Sequence, residues 1–556
     1  MRLATLANNA FLLGNWAGAR AFRRDLARPQ EVQAQKLAGY ASSHGRTEYG
    51  RRYNLSRAFT PAVFQRQVPL TEYEDYAPGI EQIAAGGKGG RGVLTRGRVE
   101  RFAVTSGSSG AEKWIPSTAW LRREFRSGIA PWLTNLHTHI PDLRNGPAYW
   151  SITPVSMRSR RTSAIPIGFD EDSAYLGGVL KRLADATFAV PGELRHLHDM
   201  DTFRYWTLLA LLRERDLRLI SIWHPSFLTL VLEAAREIWE ELLADIHQGV
   251  QTLPAEIPAH LHKPLRRRFK ANPERAAELR SIGPAGWEAF WPRLALISCW
   301  RDAHARGAAD QLAAQFPRVR LQGKGLLSTE AFVSLPIIER GVTHYPLAIH
   351  SHFFEFLEEG GNAALAHQVE TGGEYEVVVT TGGGLYRYRT HDRVRITGRL
   401  HNTPCMEFLG RTNLVSDLCG EKMNALFVAE ILREIEQATR AKFLMLAPDG
   451  PGYTLFIEGD DLHRASALLE DGLRRNPHYD YCRRLGQLVE ARVFRISRGG
   501  AESYLQECAR AGQRLGDIKP VALHRDGNWA AKFRGAYVVS QGSTQDAPSA
   551  SPAPAP

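Results

Sequence analysis

Nine residues, Thr105-Ser106-Gly107-Ser108-Ser109-Gly110-Ala111-Glu112-Lys113, crowd hydroxyls, glycines and one lysine behind an apolar stretch, and no other segment constrains this chain as tightly. Glycines let backbone N–H groups converge on an anion, short hydroxyl side chains add donors, and lysine supplies charge without fixed geometry. The segment reads as a polyphosphate loop after a strand. The P-loop pattern G-x-x-x-x-G-K-[ST] fails because Glu112 stands five residues after Gly107, and the nucleophile elbow G-x-S-x-G fails at Ala111. Taken alone, the segment could equally be a plain Gly/Ser loop.

At 556 residues the chain exceeds what one core sustains, so two or more domains are expected. Its hydrophobic fraction of 44% and charged fraction of 23% suit a globular enzyme. Five scattered cysteines, none in a C-x-x-C pair, argue against a disulfide framework or a zinc site and make the cytoplasm the expected compartment. No apolar run of about 18 residues is available to cross a bilayer, and residues 1–24 read as a helix. The net charge of +11 and the Gly/Arg tract at 86–92, followed by Arg96, Arg98 and Arg101, admit a rival reading as an RNA-binding protein. The tract is short and lacks interleaved aromatics for base stacking, so nucleic acid is not the expected partner. A basic surface also steers anionic substrates.

Residues 217–223 read as a buried strand and 227–247 as a helix, a unit that builds central sheets. Residues 375–381 and 385–390 read as strands flanking a three-glycine turn, which sets Asp392 just beyond the second. Past Arg411 a compact α+β pattern follows: a helix at 423–440, strands at 443–446 and 453–457, a helix at 462–475 and a strand at 488–496. From Gln541 only small and polar residues and proline remain, so 541–556 is expected to be disordered.

Four elements appear in order: the 105–113 segment, Leu326-Leu327-Ser328-Thr329-Glu330-Ala331-Phe332, then Tyr388-Arg389-Thr390-His391-Asp392, and Gly410-Arg411 followed by Gly420-Glu421-Lys422. This order resembles the adenylate-forming superfamily. The doubled serine and the Glu-Lys pair before Trp114-Ile115-Pro116 look like the acyl acid amido synthetases of the auxin-responsive (Gretchen Hagen) family, as do Ala174-Tyr175-Leu176-Gly177, Ser221-Ile222-Trp223-His224-Pro225-Ser226-Phe227 and Gly516-Asp517-Ile518-Lys519-Pro520. The resemblance runs from about residue 35 to 535.

It implies an α/β fold, with a large N-terminal domain (1–410) built on central β-sheets and helices and a small mobile α+β domain (411–540). It implies a ligase that uses ATP and Mg2+ to adenylate a small carboxylic acid and pass the acyl group to an amine, in the family an amino acid. Ser106, Gly107, Ser108 and Ser109 would bind the β- and γ-phosphates and Thr329 would meet the α-phosphate. Glu330 would hold magnesium, Asp392 the ribose hydroxyls, and Arg411 would mark the hinge beside the ribose. Lys422 and Lys519 would approach the phosphates from the mobile domain.

Plainer readings stand beside these. Asp392 could pair with Arg389 or Arg393, and the lysines could be solvated charges. His137, His139, His391 and His524 show no metal-ligand spacing, and Trp223, Trp291 and Trp300 read as core. The chain departs from the plant pattern at Leu326, where tyrosine is usual, at His391, where glycine is usual, and around Lys519, which suggests a divergent, bacterial-type member. The alternative activities are an acyl-CoA ligase sharing the same acyl adenylate and a non-catalytic nucleic-acid-binding protein.

Overall fold

From Tyr388 to Ile396 the chain alternates Tyr388, Thr390, Asp392, Val394 and Ile396 with three arginines and His391. A strand is the regular backbone with that period. A computed structural model of the chain contains this strand and describes residues 3–57, 60–86, 90–106, 112–151, 163–167, 187–197, 199–412, 415–416, 418–419, 421, 423–511, 513 and 518–538. Gly107, Ser108, Ser109, Lys422, the stretch at 174–177, Gly516, Asp517 and the tail at 541–556 lie outside the described residues. Two compact units are present: Met1–Leu414 with Leu505–Pro520, and Val415–Tyr504 with Val521–Pro556.

In the first unit, helix Leu3–Asp25 is followed by helix Pro29–His44, which starts on proline and buries Gln33, Leu37, Tyr40 and His44 along one stripe. A hairpin of β1 (Val99–Ser106) and β2 (Glu112–Thr118) pairs Ser106 with Glu112. β2 leads into helix Ala119–His139, capped where Thr118 Oγ1 accepts from Leu121 N–H. Next comes a parallel sheet of β3 (Ala148–Trp150), β4 (Leu219–Ser221), β5 (Leu296–Cys299) and β6 (Arg320–Gly323), in sequential order. The single helix expected at 227–247 is two, Pro225–Ala234 and Trp239–Gln248. No glycine or proline breaks the segment; the turn accompanies Trp239 stacking on Phe290 at 5.5 Å.

A short hairpin, β7 (Ile337–Glu339) with β8 (Val342–His344), precedes a five-stranded antiparallel sheet. Its strands are β9 (Phe353–Leu357), β10 (Ala363–Leu365), β11 (Glu374–Thr380), β12 (Tyr388–Leu400) and β13 (Thr403–Arg411), in the order β10-β9-β11-β12-β13. Asp392 therefore lies inside a strand, not just beyond one. The strand starts later than expected because the glycines are held in close contact: a Cβ on Gly382 would stand 2.5 Å from the Trp120 ring, and one on Gly383 2.9 Å from the Pro116 carbonyl.

The second unit has the expected α+β pattern. A short pair, β14 (Val415–Ser416) with β15 (Met423–Asn424), leads to helix Ala425–Thr439, capped by Asn424. Strands β16 (Phe443–Asp449), β17 (Gly452–Glu458), β18 (Arg492–Ile496) and β19 (Gly535–Tyr537) form one sheet, with helix Leu462–Arg474 between β17 and β18.

Two residues ahead of β12 hold it in place. Tyr386 Oη donates to Leu94 O at 2.6 Å and lies 2.9 Å from His44 Nδ1. Arg387 binds both oxygens of Glu355 at 3.1 and 3.0 Å, and donates to the carbonyls of Gln65 and Val68. Their side chains are 8% and 1% exposed. Glu355→Gln should therefore cost about 3 kcal/mol in denaturant unfolding, because it leaves a guanidinium buried without its counter-charge; the Glu355→Met/Arg387→Met pair should lose less than the sum of its singles. Burial lowers the His44 imidazole from 6.5 to about 4. The folded state thus binds this proton less well than the unfolded chain. Its contribution should be full above about pH 6.5 and fall by roughly 3 kcal/mol toward pH 4, and His44→Gln should flatten that slope in melts run across the window.

Candidate active site

A bulge aims Asp392. Between the pairs Glu376–Arg393 and Val378–Arg389, β12 sets Thr390, His391 and Asp392 against the single residue Val377 of β11. Thr390 Oγ1 donates to Val377 O at 2.8 Å and accepts from Asp392 N–H at 3.2 Å. His391 takes φ = 61°, in the left-handed region that glycine occupies most easily. That conformation explains why glycine is usual at this position and sets its replacement a cost of about 1 kcal/mol. The ring engages other carboxylates than Asp392: Nε2 lies 2.7 Å from Glu72 Oε2, and Nδ1 lies 3.6 Å from Glu376 Oε1.

Asp392 faces Arg411 directly across the β12–β13 ladder. Arg411 Nε donates to Asp392 Oδ1 at 3.1 Å and a terminal nitrogen donates to Thr390 O at 3.0 Å. The pairings with Arg389 or Arg393 considered from sequence do not occur: Arg389 binds Glu376 and Glu72, and Arg393 binds Glu374. Burial pulls the Arg411 guanidinium down, but the negative charges of Asp392 and Glu330 outweigh it and hold the group above its ordinary value. Burial, and then the charge of Glu330, push the Tyr388 phenol up. Glu330, Tyr388, Asp392 and Arg411 therefore form one electrostatic cluster.

Glu330 reaches that cluster from a tight turn. Ser328 N–H donates to Ala331 O at 2.9 Å and Ala331 N–H to Ser328 Oγ at 3.2 Å, which leaves Thr329 half-buried and Glu330 buried at the tip. Phe332 N–H donates to His352 Nε2 at 3.1 Å, so the His352 proton sits on Nδ1, 3.2 Å from Glu124 Oε2. Burial lowers the His352 pKa and keeps the ring neutral. Glu124 Oε2 also accepts from Gly382 N–H at 2.9 Å, and Glu124 Oε1 accepts from Tyr40 Oη. Thr118 Oγ1, at the end of β2, donates to Gly382 O at 3.2 Å. The β1–β2 hairpin is thus joined to the glycine turn directly through Thr118, and the Thr329-Glu330 turn is joined to it through His352 and Glu124.

Lys519 belongs to the first unit, not to the second region in which the sequence set it, and its Nζ lies 4.6 Å over the Trp300 ring. It borders a cavity with Trp300, Asp302, Lys324, Leu326 and Phe408. Trp291 is core as read, 1% exposed with its indole N–H on Leu211 O, whereas Trp300 lines the cavity. Sequence reading passed over Lys324, and its one signal is its place directly after β6. His137 and His139 bond carbonyls of their own helix. In the second unit Cys419, Glu421 and Cys482 bring their ligand atoms within 4.8 Å. Glu421 there accepts from Leu418 N–H, Cys419 N–H and Tyr453 Oη, and burial followed by the Cys482 contact pushes the Cys419 thiol up to about 12.

Arg411→Ala should cost about 2 kcal/mol in thermal or denaturant unfolding, since Asp392, 4% exposed, would lose the cation beside it. Arg411→Lys should recover part of that loss.

Known proteins place this site in context. The GH3 family N-terminal domain matches residues 18–321 and the GH3 family central domain matches residues 345–411. The indole-3-acetic acid-amido synthetase GH3.4 of Arabidopsis thaliana is 26% identical over 439 residues, 74% of this chain and 71% of that protein. The jasmonoyl-L-amino acid synthetase JAR6 of Nicotiana attenuata is 24% identical over 408 residues, 69% of this chain and 70% of that protein. Among solved structures, the AtGH3.15 acyl acid amido synthetase in complex with 2,4-DB superposes with a TM-score of 0.79 at 21% identity, covering 92% of this chain and 95% of that one. The matched segments contain Ser106, Asp392 and Arg411, and with more than half of its length matched, this chain belongs to the GH3 family.

Proposed function

We propose that this protein adenylates a carboxylic acid with ATP and transfers the acyl group to an amine, in keeping with the amido synthetases it is similar to. The observation that carries the reading is the Asp392–Arg411 pair, a buried carboxylate facing a half-buried guanidinium across two strands, with Glu330 in electrostatic reach. A carboxylate is a poor electrophile, so amide formation needs its oxygen to attack the α-phosphorus of ATP, expelling pyrophosphate and leaving a mixed anhydride for the amine.

The residues present suit that chemistry. Arg411 Nε engages Asp392 Oδ1, so the other carboxylate oxygen can accept from a ribose hydroxyl. Glu330 offers hard oxygen donors from a buried turn, the ligand type magnesium prefers, and a bound Mg2+ would neutralise charge on the phosphate oxygens. Ser106, Gly107, Ser108 and Ser109 are assigned the outer phosphates and Thr329 the α-phosphate. Lys422 and Lys519 are assigned the charge that develops during transfer. The cavity beside Lys519 is assigned the acid.

The test is acid-dependent ATP–pyrophosphate exchange across aromatic, indolic and fatty acids, followed by amine and thiol acceptors. Asp392→Ala and Glu330→Ala should each lower exchange by about 100-fold or more, Asp392→Ala with a lowered thermal midpoint because Arg411 loses its counter-charge; full exchange in both variants would end this reading.

A further inference from the structure

Consecutive parallel strands deliver aromatic and charged residues to one edge. Trp150 is the last residue of β3, Trp223 follows β4 by two residues, Trp300 directly follows β5 and Lys324 directly follows β6. The carboxyl-terminal edge of an open α/β sheet is where such sheets bind ligands. Just inside it Trp150, Ser221, Ser298 and Gln322 stand abreast in register, so their side chains share a face.

Lys324 is 5% exposed. Its Nζ donates to Ser221 Oγ at 2.6 Å and lies 5.1, 5.5 and 5.1 Å from the ring centres of Trp132, Trp150 and Trp223. The Trp223 ring is 5.5 Å from that of Trp300, over which Lys519 sits. Two ammonium groups thus bracket a run of indoles, and both border the same cavity. Ser298 Oγ and Gln322 Nε2, in side chains 0% and 2% exposed, have no hydrogen-bond partner among the described residues. Buried donors left so in a native fold point to an oxygen supplied from elsewhere.

We propose that Lys324 makes this edge selective for aromatic carboxylic acids that carry a second anionic oxygen. The inference rests on the adenylation reading above and names its substrate class. Of these indoles Trp300 lines the cavity, where its ring can pack against a flat aromatic acid. Lys519 meets the carboxylate that reacts, and Lys324 meets the second oxyanion. Of the two groups that lack partners, the Gln322 amide N–H can only donate and the Ser298 hydroxyl is able to donate, which suits an oxyanion. Asp302 shares the cavity; its carboxyl accepts from Phe408 N–H, and burial raises its pKa.

Isothermal titration calorimetry on the full chain, with benzoate and the three benzenedicarboxylates as probes, tests this. At least one dicarboxylate should bind the wild type about tenfold or more tightly than benzoate. Lys324→Met should erase that advantage, and Lys324→Arg should keep part of it. Gln322→Leu should also reduce the advantage, which keeps the test open if Lys324→Met fails to fold by circular dichroism. Benzoate binding as tightly as every dicarboxylate, an unchanged advantage in Lys324→Met, or no binding by any probe overturns the proposal. Pyrophosphate exchange run in parallel separates the two readings: a dicarboxylate preference without exchange retires adenylation alone, and exchange with benzoate but no dicarboxylate retires the Lys324 assignment alone.

Discussion

The carboxyl of Glu124 is the point on which the site's geometry depends. It is 2% exposed and accepts from Tyr40 Oη, His352 Nδ1–H and Gly382 N–H. A carboxyl this deep is tolerated only when such donors surround it, so each donor's backbone is drawn to a defined place. His352 carries the constraint on to Phe332 N–H, and through it to the turn that presents Thr329 and Glu330. Gly382 carries it to the loop ahead of β12 and so toward Asp392. Two segments about fifty residues apart in sequence are set against each other by one side chain from a third.

Much of this was legible in the order of the residues. The order of Ser106, Glu330, Asp392 and Arg411 anticipates residues that one unit holds, whereas the strand expected at 385–390 stops short of Asp392, which lies inside β12. The bulge was not legible, because it arises from a mismatch in residue count between β11 and β12 that neither strand shows alone. The Asp392–Arg411 pair was missed for a related reason: cross-strand register, not nearness in sequence, decides which arginine stands opposite. Lys324 was passed over because a lysine between two glycines reads as a solvated loop charge; only the convergence of strand ends shows it caged by tryptophans. The break at 235–238 follows from packing around Trp239, which no local signal announces.

His391 shows how a departure from the usual residue is accommodated. The backbone keeps the left-handed turn, and the imidazole is drawn to Glu72 and Glu376. Contacts of this kind offset the strain of a side chain where glycine has none. The same turn leaves Asp392 on the inner face and Arg411 opposite.

The residues proposed to handle the nucleotide and those proposed to choose the acid come from different sheets. Glu330, Asp392 and Arg411 sit on the turn and strands around β12 and β13, while Trp150, Trp223, Trp300 and Lys324 are ends of β3, β4, β5 and β6. A strand end can change its side chain while the ladder behind it stays intact. Substrate range in such a scaffold can therefore drift over generations, or be redesigned at the bench, one strand end at a time, with the machinery of activation inherited unaltered.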